Sequence, residues 1–140
     1  MASTKLTDCV TRLADAWLDI KERFEREHPD RQLVLTATYR DPQEQYRLYQ
    51  IGRRRLEDGS WVMDEDPKTA IVTQLDGFIK RSKHNSTPAA ALDFCVVVGG
   101  KVSWDRREYA PVGELARAHG LVWGGDWRTI PDAPHVEIPG

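Results

Sequence analysis

The chain has 140 residues, 40% of them hydrophobic and 30% charged, and carries a net charge of −2. That length suits one domain with a core of its own, and the slight acidity excludes a global basic field for nucleic acid or an anionic membrane. No stretch approaches the roughly 18 consecutive apolar residues of a membrane span.

The start, MASTKLTDCV, lacks the apolar segment of a signal peptide, so the expectation is a protein made in, and at first kept in, the cytoplasm. From Thr7 to about Glu27, Val10, Leu13, Ala14, Trp17, Ile20 and Phe24 follow a helical period, and His28 and Pro29 end it. QLVLTATYR (32–40) alternates and is rich in β-branched residues, which predicts a strand. Asp41 as N-cap, Pro42 at the first helical position and Glu44 at the third predict a second helix, closed by Gly52. Residues 53–81 are charged and irregular. Only AIVTQ (70–74) resembles a short strand there, and so long a weakly structured insertion is usually functional, a lid being one use. The basic run Arg53, Arg54 and Arg55, with Lys80, Arg81 and Lys83 beyond it, reads as solvated surface. AALDFCVVV (90–98) is a strand, VGGK a hairpin turn into KVSW, and APVGELARAHG a short helix stopped by Gly120. LVWGG and HVEIP are the last strands. The pattern is α+β, helical first and then a mostly antiparallel sheet, with no repeats and no linker. Cys9 and Cys95 lack a CxxC spacing and read as reduced core thiols.

One residue does not fit its surroundings. Asp93 stands inside a run that otherwise reads as a buried strand, where a carboxylate costs several kcal/mol unless charge or hydrogen bonds compensate. His84 lies nine residues earlier, an offset that shares a face of neither a helix nor a strand, so the two meet only if the chain bends. NSTP (85–88) supplies that bend. Further on, PDAPHVEIP excludes a helix and sets His135 and Glu137 on the polar face of a strand. His84, Asp93 and His135 together would form a His₂-carboxylate set that leaves zinc an open position, with Asp132 near enough to take a proton from water. Taken singly, each has an ordinary structural or surface reading, as do His28 and His119, the latter at a helix C-terminus. There is no HExxH. Cys95 shares the Asp93 face, but a buried structural thiol is a better reading than a Cys-His nucleophile.

SKHNSTPAAALDF resembles the SxH…AxD motif of the M15 metallopeptidases, the group of D-Ala-D-Ala peptidases and phage L-alanyl-D-glutamate endolysins. DAPHVE resembles their (D/E)xxH motif, LVWGGDW the stretch before it, and TATYRDPQEQYRLYQIGR their YRSxxxQ segment. The matches run in family order from residue 36 to residue 137. The resemblance implies the Hedgehog/DD-peptidase fold, and zinc held by His84, Asp93 and His135. It implies Asp132 as general base and Arg40 holding a substrate carboxylate or the oxyanion. Gln45, Ser82 and Trp123 are expected beside the substrate, Ser82 equally suiting a turn, and Glu137 and Trp123 are candidates to shape the site or orient His135, with a core or edge role suiting them at least as well. Two departures are present: the aspartate follows the histidine by nine residues rather than seven, and the base is Asp rather than Glu. Both resemble the endolysin branch.

The expectation is therefore a monomeric, single-domain (1–140) zinc peptidase with no separate wall-binding module. It would hydrolyse the L-Ala–D-Glu bond of the peptidoglycan stem. As a phage endolysin it would be made in the host cytoplasm and reach the periplasmic or cell-wall peptidoglycan when a holin opens the membrane. A D,D-carboxypeptidase and a non-catalytic wall-binding or virion module are the alternatives. Net acidity and the lack of interleaved aromatics argue against a nucleic-acid binder.

Overall fold

A computed structural model describes residues 2–63 and 70–140. Helix α1 (Thr11–Glu27) buries Leu13, Ala16, Trp17, Ile20 and Phe24, the stripe that its period sets on one face. It begins four residues later than its periodicity predicts. The preceding chain is taken by a pairing with a distant segment: Val10 N–H donates to Ala89 O (2.9 Å) and Ala89 N–H to Asp8 O (2.8 Å). Strand β1 (Arg31–Ala37) stops short of residue 40, because Thr38 and Arg40 donate their N–H groups elsewhere, to Ser3 O and His84 O. Helix α2 (Pro42–Gln50) starts as its sequence predicts, with Asp41 accepting from Glu44 N–H at 2.8 Å.

Within 53–81, the structure differs from the sequence reading. Residues 70–74 form no strand, whereas β2 (Arg53–Arg55) and β3 (Trp61–Met63) pair as a short hairpin. Two three-residue strands, one all arginine, carry no visible alternation. What holds them is packing against α2: the Trp61 indole donates to the Tyr46 hydroxyl (2.9 Å), and the Arg53 guanidinium lies 3.9 Å over the Tyr49 ring. Part of the basic run is thus structural rather than solvated. Residues 64–69 of that insertion lie outside the described residues.

Strand β4 (Ala91–Val98) turns through Gly99 and Gly100, both at positive φ (56° and 81°), into β5 (Lys101–Ser103). Helix α3 (Arg106–Ala118) begins before residue 110 because Asp105 caps it, accepting from Arg107 N–H at 3.0 Å, and Pro111 sits inside it. Strands β6 (Val122–Trp123) and β7 (His135–Glu137) complete an antiparallel sheet of order β1-β4-β7-β6, with β5 also paired to β4. Phe94 meets Trp17 of α1 and Tyr109 of α3, at centroid distances of 5.0 and 5.5 Å, so both helices cover one face of the sheet. Alternation along β4 then sends Asp93 and Cys95 to the other face. Cys9 and Cys95 are buried and unbonded to each other.

Candidate metal centre

The uncovered face of the sheet carries the site. Asp93 on β4 and His135 on β7 are direct register partners, which sets their side chains side by side. His84 arrives from the loop before β4, on a one-turn 3₁₀ helix (Lys83–Asn85). Ser82 Oγ accepts from His84 N–H (3.2 Å), and the Asn85 side chain accepts from Ser82 N–H (2.8 Å). This turn is fastened to the end of β1: Arg40 N–H donates to His84 O (2.8 Å) and Asn85 Nδ2 to Arg40 O (2.8 Å).

His84 Nδ1 lies 2.7 Å from Thr38 O, and His135 Nε2 lies 2.8 Å from Glu137 Oε1. Both partners only accept, so those ring nitrogens carry the protons. The opposite nitrogens, His84 Nε2 and His135 Nδ1, converge on Asp93 Oδ1 at 3.2 and 3.0 Å, and the three atoms lie within 4.8 Å of one another. Two imidazole lone pairs aimed at one carboxylate oxygen repel unless a cation, either a proton or a metal ion, lies between them. The donor set, two nitrogens and an oxygen on buried or half-buried side chains, is one that zinc accepts. The protonation of the two groups follows the same need. Burial pushes the Asp93 carboxyl up, but hydrogen bonds from His135 and then His84 hold it well below the usual carboxylate range. Burial pushes His135 down, and its bonds to Asp93 and Glu137 more than reverse this, raising it to about 9. The site draws a positive charge into itself.

Each ligand-bearing segment has a second set of partners. Arg40 is largely buried and spans two groups, Nη2 donating to Asp93 Oδ2 (3.0 Å) and Nη1 to Gln45 Oε1 (2.9 Å). Gln45 is 1% exposed, and its amide donates to Leu75 O (2.9 Å) and Thr73 Oγ1 (3.3 Å), so its part is to hold Arg40. Ser82 is likewise committed to capping the His84 turn. Trp123 requires a correction. It is 3% exposed, donates its indole N–H to Ala133 O (2.7 Å) and does not line the cleft. It packs where Gly113 and Gly125 leave room that a Cβ would fill. Trp127 takes the place expected of it, lining the cleft with its ring 4.8 Å from the His135 ring. Trp127 lies in the same LVWGGDW stretch, but nothing in the sequence says which tryptophan the sheet register turns inward.

The cluster forms the floor of a cleft of about 730 Å³. Leu48, Ile51, Ile71 and Val72 form one apolar wall, and Trp127, Ile130 and Pro131 stand in the lining with Asp132. The Asp132 carboxylate is half-exposed, with Oδ2 4.0 Å from His135 Nδ1. Burial, and then the Asp93 charge, raise its pKa above the ordinary aspartate value. Its backbone is set by Gly124, whose carbonyl accepts Asp132 N–H at 2.9 Å. A Cβ at Gly124 would strike the Asp132 carbonyl and come within 3.0 Å of the His135 Cβ. Gly124→Ala is therefore expected to displace the 132–135 turn at a cost of about 1–3 kcal/mol, with a lowered Tm and reduced zinc retention on dialysis.

A family model for peptidase M15, described as D-alanyl-D-alanine carboxypeptidase, matches residues 77–138, which include His84, Asp93, Asp132 and His135. The peptidoglycan L-alanyl-D-glutamate endopeptidase CwlK of Bacillus subtilis (strain 168) is 31% identical over 116 residues, covering 76% of this chain and 60% of that protein. The chain thus spans about three-fifths of that relative's length. The crystal structure of the L-Ala D-Glu endopeptidase ChiX of Serratia marcescens superposes with a TM-score of 0.60. That similarity covers 96% of this chain and 83% of the other at 21% identity, and it supports the fold. Over its motif segment the chain is thus similar to the peptidase M15 family model and to an L-alanyl-D-glutamate endopeptidase, and it shares the fold of a second protein of that name.

Proposed function

We propose that the protein is a zinc-dependent peptidoglycan peptidase that hydrolyses the L-Ala–D-Glu bond of the stem peptide. The observation that carries this reading is the convergence of His84 Nε2, Asp93 Oδ1 and His135 Nδ1 on the floor of an open cleft, with the Asp132 carboxylate beside them. Bound there, zinc supplies Lewis-acid polarisation of the scissile carbonyl and of the attacking water. Asp132 takes the proton of that water and hands it to the leaving amine, a task suited to a carboxylate whose pKa is raised. Arg40 holds Asp93 in its ligating orientation through Nη2 while Nη1 is held by Gln45, and because it lines the cleft it would offer a substrate carboxylate the N–H groups those two bonds leave over. Trp127 and the apolar walls limit water around the reacting atoms.

The choice of bond rests on the names of the relatives, both L-alanyl-D-glutamate endopeptidases, and on an Asp rather than a Glu as base. Digestion of purified peptidoglycan, read by mass spectrometry, tests it. New amino-terminal D-Glu and glycan strands carrying only L-Ala are expected. Release of D-Ala with the L-Ala–D-Glu bond intact would instead favour the D,D-carboxypeptidase reading suggested by the family model's description. Intact peptidoglycan would leave a non-catalytic wall-binding module. The setting expected from the sequence is proposed with the activity: a monomeric phage endolysin, made in the host cytoplasm and reaching the wall through a holin. Turbidity of cultures expressing the protein with and without a holin tests that setting.

Arg40→Lys keeps a charge at the site but replaces the planar fork that spans Gln45 and Asp93. Losing one charge-assisted hydrogen bond is expected to lower kcat/KM by about 10-fold or more with zinc retained. Wild-type kinetics in that protein would remove Arg40 from the site's working parts.

A further inference from the structure

Lys83 has no part in the proposed reaction and Glu137 enters it only as the acceptor of the His135 Nε2 proton, yet each sits next to a candidate ligand. Lys83 precedes His84, and Glu137 lies two residues after His135 on the same face of β7. The two side chains meet across the segments: Lys83 Nζ lies 2.7 Å from Glu137 Oε2, and it also donates to Ile138 O. The other oxygen, Glu137 Oε1, takes the His135 Nε2 proton at 2.8 Å. Glu137 is 14% exposed and Lys83 30%, so the pair is shielded more than a surface bridge.

We infer that Lys83 and Glu137 are positioning residues for the metal site, acting as one clamp that ties the His84 turn to the His135 strand and fixes the tautomer of His135. This inference rests on the zinc reading above. Its physical basis is a count of donors and acceptors. The His135 Nε2–H and the Lys83 ammonium each need an acceptor, and only a carboxylate offers two oxygens to satisfy both. With Nε2 protonated, the lone pair of the neutral His135 ring, the form that binds a metal, stays on Nδ1, the side facing Asp93. Loss of the carboxylate lets the proton move to Nδ1, which then no longer ligates. Loss of the lysine leaves the tautomer intact but releases the tie between two ligand-bearing segments that are 51 positions apart in sequence (84 and 135). The outer partners of metal ligands typically contribute 10–100-fold in affinity.

The test measures the zinc dissociation constant of the full chain by chelator competition, together with the ¹⁵N shifts of the His135 ring. Glu137→Gln supplies only one acceptor oxygen, so zinc affinity is expected to fall by about 10–100-fold, with the His135 signals of the metal-free protein, read at alkaline pH where the ring is neutral, moving towards the Nδ1–H tautomer. Lys83→Met is expected to weaken zinc by about 10-fold with the tautomer unchanged, and Lys83→Arg to restore most of it. Wild-type zinc affinity in folded Lys83→Met and Glu137→Gln proteins would overturn the inference. So would equal losses in the Met and Arg variants, which would mark a purely steric role for position 83. A wild-type protein that binds no zinc at all would instead overturn the proposed function, so the two failures are separable.

Discussion

His135→Ala is expected to abolish hydrolysis and to reduce zinc from one equivalent per chain to none. The variant removes the Nδ1 donor 3.0 Å from Asp93 Oδ1 and leaves that buried carboxylate with one fewer cationic partner. Asp93→Ala and His84→Ala should behave alike, because each removes one of the three convergent donors. Elemental analysis of the purified variants checks this, and full zinc in the His135→Ala protein would refute the assignment. The same site predicts a pH effect in the metal-free protein. The folded-state pKa of His135 is about 9 against an ordinary 6.5. A raised pKa means that the folded state holds its proton more tightly than the unfolded chain. Its contribution to stability is therefore complete below about 6.5 and lost as pH rises through about 9. Zinc must displace that proton, so its apparent affinity should climb with pH until about 9. Thermal melts of metal-free and zinc-loaded protein across this range should diverge most at the alkaline end.

Asp132→Asn separates proton transfer from metal binding. The substitution is nearly isosteric, and the side chain stands 4.0 Å from His135 Nδ1, outside the convergent donor set. Zinc content and Tm should stay near wild type, while kcat falls by a factor on the order of 10²–10⁴. Loss of zinc would make Asp132 a ligand, and wild-type turnover would exclude it from the reaction. In the metal-free protein, burial and the Asp93 charge raise the Asp132 pKa, so Asp132 should take up its proton at a higher pH than an ordinary aspartate does.

The sites of highest chemical contrast were legible in the chain alone. An aspartate inside AALDFCVVV called for compensation, and the prolines around His135 excluded a helix, so both signals survived without any knowledge of packing. Helix α2 was legible for a similar reason: Asp41, Pro42 and Glu44 act on the backbone within one turn. What is local in energy is local in sequence.

Everything that depended on which distant segment supplies a hydrogen bond was decided by tertiary structure. Helix α1 loses its first four expected residues to a pairing with Ala89, and β1 ends early because Thr38–Arg40 are claimed by Ser3 and the His84 turn. The β2–β3 hairpin depends on Tyr46 and Tyr49 from α2 rather than on any pattern of its own. The same holds within the site. Trp123 and Trp127 are equivalent as letters, and the β6–β7 register buries one against glycines while the other lines the cleft. Gln45, Ser82 and Asn85 turn out to hold other site residues, and Lys83 pairs with Glu137, because each polar group buried near the candidate metal centre had to find a partner, and those partners lie on separate strands and turns. The candidate His-Asp-His set follows from residue types that the sequence displays, whereas the network that aims those side chains exists only once the sheet has brought β1, β4 and β7 side by side.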